Sequence, residues 1–227
     1  MEPAPALHPV AARTRKRLAH GFTLVEMLVV LAIIVVITGI VINGQSTYNQ
    51  TLILTDTAYT VAFSVRQAQA LGLASRATTV GGSIVSNAGY GVRFAGTNGY
   101  TVFADTGGAK VPSLATACPP GTPGTPEARP GNCKYESGTD RVIQSYTFSR
   151  GFTIQNICGK SGTAATVCSL ASLDIVFMRP ETRAIMTGPS NQVFTCAEVH
   201  VRAPTGGATR VVRVSQLGAI SVGQNCP

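Results

Sequence analysis

The chain has 227 residues, enough for one sizeable core beyond any terminal segment. Charged residues make up only 12% while glycine numbers 24 and proline 13, a turn-rich β balance that excludes a plain helical bundle and a charge-rich disordered chain. The formal charge is +8; loss of Arg13, Arg15, Lys16, Arg17 and Glu2 with an N-terminal leader leaves +5, compatible with anionic partners and common in soluble domains alike.

The first element is a basic leader, residues 1–21, followed by Gly21-Phe22-Thr23-Leu24-Val25-Glu26 and an apolar run to Ile42. Phe22 to Ile42 is 21 residues, and Glu26 is the one charge among them. As a helix this stretch covers roughly 30 Å, enough to cross a bilayer core. A carboxylate inside such a segment costs about 2.5–3.5 kcal/mol at its centre and less near an end, so it calls for a partner. Cleavage after Gly21 would supply one: the new α-amino group of Phe22 lies about one turn, roughly 6 Å, from Glu26, on this chain or on a packed neighbour. A secretory signal would instead be cut after the run, where Val41-Ile42-Asn43 offers no small-x-small site. A plain signal anchor fits the basic flank by the positive-inside rule but leaves Glu26 unexplained.

This hexapeptide, between a basic leader and a hydrophobic run, resembles the processing site of type IV pilins and pseudopilins. The resemblance implies cleavage between Gly21 and Phe22 by a prepilin peptidase, N-methylation of Phe22, and an assembly role for Glu26. It also implies other pilin or pseudopilin subunits and an inner-membrane assembly platform as partners. The expected location is a single pass of the inner membrane, with the C-terminal domain in the periplasm or outside the membrane and filament association after assembly.

The N-terminal helix is expected over 22–75, membrane-spanning over 22–42 and amphipathic beyond. Leu54, Ala58, Val61, Val65, Ala68 and Gly72 recur at helical spacing on one face, with Thr55, Asp56, Arg66 and Gln67 opposite. Gly39 and Gly44 weaken the helix by roughly 1 kcal/mol each relative to alanine, so bending or melting is expected there. Gly81-Gly82 marks its exit into a loop. A β-rich domain follows over 76–227, with strands at 90–94, 100–104, 141–148, 152–157, 173–178, 183–186, 197–202, 210–215 and 219–222. Gly96-Thr97-Asn98-Gly99 and Pro204-Thr205-Gly206-Gly207 read as hairpin turns. The fold class is α+β: a long N-terminal helix packed on an antiparallel sheet domain of the pilin type.

Residues 111–138 interrupt this with a Pro/Gly-rich stretch bearing two cysteines, read as an ordered surface excursion. All six cysteines follow residue 117, which points to disulfides in an oxidising compartment. Six allow fifteen connectivities; sequence neighbours suggest Cys118 with Cys133, Cys158 with Cys168, and Cys196 with Cys226. There is no C-x-x-C, P-loop, G-x-S-x-G or H-E-x-x-H, and His200 reads as a surface residue alternating with Glu198 and Arg202 on a solvent-facing strand edge. No cofactor, metal site or enzymatic activity is therefore expected.

The order of parts resembles the GspH/FimT-like branch of the family: Arg66-Gln67-Ala68-Gln69-Ala70 ending the helix, the hairpin 90–103, Val176-Phe177-Met178-Arg179-Pro180-Glu181, and the closing strands 210–214 and 217–222. Two roles follow. The first is a minor subunit of a type II secretion pseudopilus or type IV pilus. The alternative is a pilus-tip component that captures DNA or another anionic ligand through Arg202, Arg210 and Arg213, although no aromatic residue accompanies them for base stacking.

Overall fold

The computed structural model describes residues 21–74, 77–119, 129–204 and 207–227, with side chains throughout except at 43–47 and 80. The basic leader, Ser75 at the expected helix end, the Pro-Gly core at 120–128 and Thr205-Gly206 of the expected turn lie outside these residues. The chain divides into two units, Met1–Gln45 and Ser46–Pro227.

Helix α1 spans Leu24–Leu73 and remains helical through Gly39 and Gly44, where bending or melting was expected. Its part in the first unit is exposed throughout Leu24–Ile42. In the second unit, Leu54, Ala58, Val61, Val65 and Ala68 are all fully buried. Gly72 extends that row because the helix there lies against the strand end at Phe177, where a Cβ would run into the Phe177 carbonyl. Tyr48, Leu52, Tyr59 and Phe63 are exposed, at spacings that place them together on the outward side.

The strands are β1 (Thr78–Val80), β2 (Ser83–Val85), β3 (Gly89–Ala95), β4 (Gly99–Asp105), β5 (Arg141–Thr147), β6 (Thr153–Lys160), β7 (Ser172–Phe177), β8 (Ala184–Thr187), β9 (Val193–Phe194), β10 (Cys196–Arg202), β11 (Thr209–Ser215) and β12 (Ile220–Val222). A six-stranded sheet runs β5-β4-β3-β7-β8-β9 and a four-stranded sheet β12-β11-β10-β6; every pairing in both is antiparallel. Gly81-Gly82 corrects the expected loop. Both glycines have positive φ, 55° and 84°, and turn β1 back onto β2 as a small hairpin.

The main core joins the buried α1 face to Val92, Phe94, Val102, Leu173, Ile175 and Phe177 of the larger sheet and to Ile154, Ile157, Val199, Val201, Val212 and Val214 of the smaller. Each such side chain, fully buried, contributes roughly 1.5–3 kcal/mol. A second cluster forms on the other face of the larger sheet, where Phe103, Val176, Met178 and Ile185 meet Leu114, Cys118 and Cys133. The described parts of the 111–138 stretch, 111–119 and 129–138, thus cover a sheet face rather than standing out from the surface. Their cover explains why all four residues of β8 and five of the six in β7 are buried, with no alternation.

Three acids beneath this cover hold it down. Asp105 accepts the N–H groups of Asn132, at 3.0 Å, and Cys133, at 2.7 Å. Asp140 accepts those of Thr106, at 3.0 Å, and Glu136, at 2.6 Å. Asp174 pairs with Arg93 at 3.1 Å and also meets the backbone of Tyr135. Burial pushes the Asp105 carboxyl up to about 8; nearby Asp140 adds to the rise, while the two N–H donors and Lys110 oppose it. Burial likewise raises Asp140 and Asp174.

Candidate functional site

Gly21, Phe22 and Thr23 precede the helix as non-helical backbone. Thr23 closes the helix start: its Oγ1 accepts the backbone N–H of Glu26 at 3.2 Å, and its carbonyl accepts that of Met27 at 3.2 Å. This is an N-cap, with Glu26 at the third helical position, where a carboxylate also meets the positive end of the helix dipole. The Thr-x-x-Glu spacing carried that signal in the sequence, and only the glutamate was read there. Phe22 is 74% exposed. At Gly21 a Cβ would meet nothing among the described residues, so nothing in the fold requires glycine there.

Leu24–Ile42 forms one helix long and apolar enough to cross a membrane, and none of it is covered. Glu26 is exposed with it. A carboxylate one turn from an ammonium group can neutralise it and does so with most effect where water is excluded.

The cysteines form three disulfides, Cys118–Cys133, Cys158–Cys168 and Cys196–Cys226. Cys118–Cys133 sits within the second core, and a loop of this length closed by a disulfide gains roughly 3 kcal/mol in the chain-entropy picture. Cys196–Cys226 carries the C-terminal residues over the smaller sheet. Arg213 donates to the Asn225 carbonyl at 3.1 Å, Lys160 Nζ donates to the Pro227 carbonyl, and the Cys226 N–H donates to Glu198 Oε1.

That cover corrects the expected solvent-facing strand edge. β10 is flanked by β6 and β11, Val199 and Val201 face the main core, and Glu198 on the opposite side is only 5% exposed. Glu198 Oε2 lies 2.9 Å from Nε2 of His200. The expected arginine stripe divides as well. Glu198 faces Arg213 and Arg202 faces Thr209, whereas Arg210 faces Val201, so Arg210 lies on the opposite face of the sheet from Arg202 and Arg213.

Residues 16–42 match the family model described as the prokaryotic N-terminal methylation motif. No curated protein matches the chain, and no solved structure does. The match supports the type IV pilin and pseudopilin family, whose role is structural and whose members are processed by prepilin peptidase and assembled with other subunits. The apolar helix followed by antiparallel sheets is consistent with the α+β fold of that type, and the motif with the helix fits a single-pass, membrane-anchored pilin.

Proposed function

We propose that this chain is a minor pilin or pseudopilin, cut between Gly21 and Phe22 by a prepilin peptidase, N-methylated at Phe22, and incorporated into a type II secretion pseudopilus or type IV pilus through an inner-membrane assembly platform. The β domain then lies on the periplasmic side of the inner membrane. The observation that carries this reading is the placement of Glu26: it is the sole charge in Phe22–Ile42 and lies within the matched motif. Pairing of Glu26 with the Phe22 amine of a neighbouring subunit rewards one axial offset, because an unpaired charge in an apolar filament core costs several kcal/mol. Two further features support the reading. Gly21 has no structural reason to be glycine within the described chain, as expected if a peptidase selects it, and the exposed row Tyr48, Leu52, Tyr59 and Phe63 offers apolar surface to neighbouring subunits.

Intact-mass measurement on detergent-extracted protein, from cells with an active prepilin peptidase, tests processing. The expected mass begins at Phe22 and carries one methyl group; an intact leader would overturn the proposal. Glu26→Ala is expected to be inserted and cleaved like the wild type but largely absent from sheared filaments, and normal incorporation would remove the role assigned to Glu26.

A further inference from the structure

Strand register brings three potential ligands together on the tail-covered side of the smaller sheet. Cys158 of β6 stands directly across from Glu198 of β10, and His200 follows on the same face. His200 Nε2 lies 3.8 Å from Cys158 Sγ and 2.9 Å from Glu198 Oε2, and all three ligand atoms lie within 4.8 Å of one another. Zinc bound to thiolate, imidazole and carboxylate at about 2.0–2.3 Å with tetrahedral angles needs donors roughly 3.3–3.6 Å apart, a span bracketed by the two distances seen here. The second carboxylate oxygen of Glu198 is held by the Cys226 N–H, which fixes its orientation as an outer-shell partner would.

One bond stands between this arrangement and a metal site: Cys158 is tied to Cys168. The two sulfurs differ in access, for Cys158 is fully buried against His200 while Cys168 belongs to an exposed loop between β6 and β7. The geometry points to a latent site for a zinc-class divalent cation, formed by Cys158, Glu198 and His200 and opened by reduction of Cys158–Cys168. A dithiol reductant supplies the electrons. One thiolate attacks Cys168 Sγ, the disulfide breaks, and its electron pair leaves on Cys158 Sγ beside the imidazole. The reductant's second thiolate then attacks the sulfur it shares with Cys168, so the reductant departs as a disulfide and Cys168 as a thiol. Cys158 binds the cation as a thiolate and its proton goes to solvent. Thiolate and carboxylate together carry two negative charges, which a divalent cation neutralises at closer range than Arg202, Arg213 and Lys160 on the same face of the sheet. This site stands apart from the proposed processing at Gly21 and Phe22 and does not depend on it.

Cobalt(II) titration of the full chain in detergent tests the proposal, since a cobalt–thiolate bond has its own charge-transfer absorption. Cys168→Ser leaves Cys158 as a free thiol with no reductant present, and the dithiol-reduced wild type is the independent second sample. Both are expected to bind one equivalent with the thiolate band, the oxidised wild type to show none, and zinc to displace the cobalt. Adding His200→Ala or Glu198→Gln to Cys168→Ser should weaken binding about tenfold or more. Absence of the band from both thiol forms, or a band unchanged by the His200 and Glu198 substitutions, would overturn the site and leave a hydrogen-bonded His200–Glu198 pair beside a structural disulfide.

Discussion

Two stretches of α1 share a backbone conformation and differ in what covers them. Leu24–Ile42 is apolar apart from Glu26 and Thr38 and uncovered, whereas beyond Gln50 the same helix buries one row, Leu54, Ala58, Val61, Val65, Ala68 and Gly72, in its own domain and leaves Leu52, Tyr59 and Phe63 outward. An all-round apolar helix has no preferred side and takes its partners from lipid or other chains, whereas a one-sided row specifies a single packed arrangement. The difference teaches where this chain's stability is internal and where it belongs to the surroundings.

The sharpest way to break that comparison is to place the same charge in each stretch. Val65→Asp puts a carboxylate into a fully buried position and should cost about 4 kcal/mol or more, enough to abolish the cooperative thermal transition of the domain. Val35→Asp, in the uncovered stretch, should leave that transition in place and instead reduce membrane insertion, by about 2.5–3.5 kcal/mol on insertion scales. Circular-dichroism melts and carbonate extraction of membranes read the two effects, and equal melting losses in both variants would dissolve the distinction.

A smaller effect tests the covered face of the larger sheet. Burial pushes the Asp105 carboxyl up to about 8 from an ordinary 3.8, so between those pH values the folded state holds a proton that the unfolded chain has released. Stability from this group is therefore fully present below about pH 4 and is lost as pH rises toward 8. Asp140 and Asp174 act in the same sense. Asp105→Asn should flatten the fall in melting temperature across that range while lowering stability at acid pH by about 1–3 kcal/mol, since one buried N–H donor then faces an amide donor. An unchanged pH slope would show that Asp105 does not carry the effect.

The smallest effect concerns the cap. Thr23→Ala removes the acceptor for the Glu26 N–H and should cost about 1 kcal/mol, confined to the first turn of α1. Amide exchange in detergent should quicken at the first turn of the helix and nowhere in the β domain; protection unchanged at the Glu26 amide would count against the cap.

Most of the architecture was legible where geometry imposes a period. The spacings 4, 3, 4, 3, 4 from Leu54 to Gly72 identify a helix face without reference to anything distant, and all six positions are buried, joined by Ala62 and Ser64. The long strands were readable for the same reason. β1, β2 and β9, of three, three and two residues, are too short to show alternation. What the sequence hid depends on segments that return from afar: Asp105, Asp174 and Glu198 look like solvent-face acids until residues 132–135 and the Cys226 tail are laid over them. At the N-terminus the Gly-Phe-Glu spacing was read and the Thr23 cap beside it was not, although both are local.

That cap bears on the cleavage proposed between Gly21 and Phe22. Because helical structure begins at Leu24 and Thr23 supplies its first acceptor, the Gly21–Phe22 bond lies in backbone that a protease can engage without unwinding α1. Severing it would be silent for α1: the product keeps every turn of that helix, while the positive charge at its tip shrinks and moves next to the apolar run.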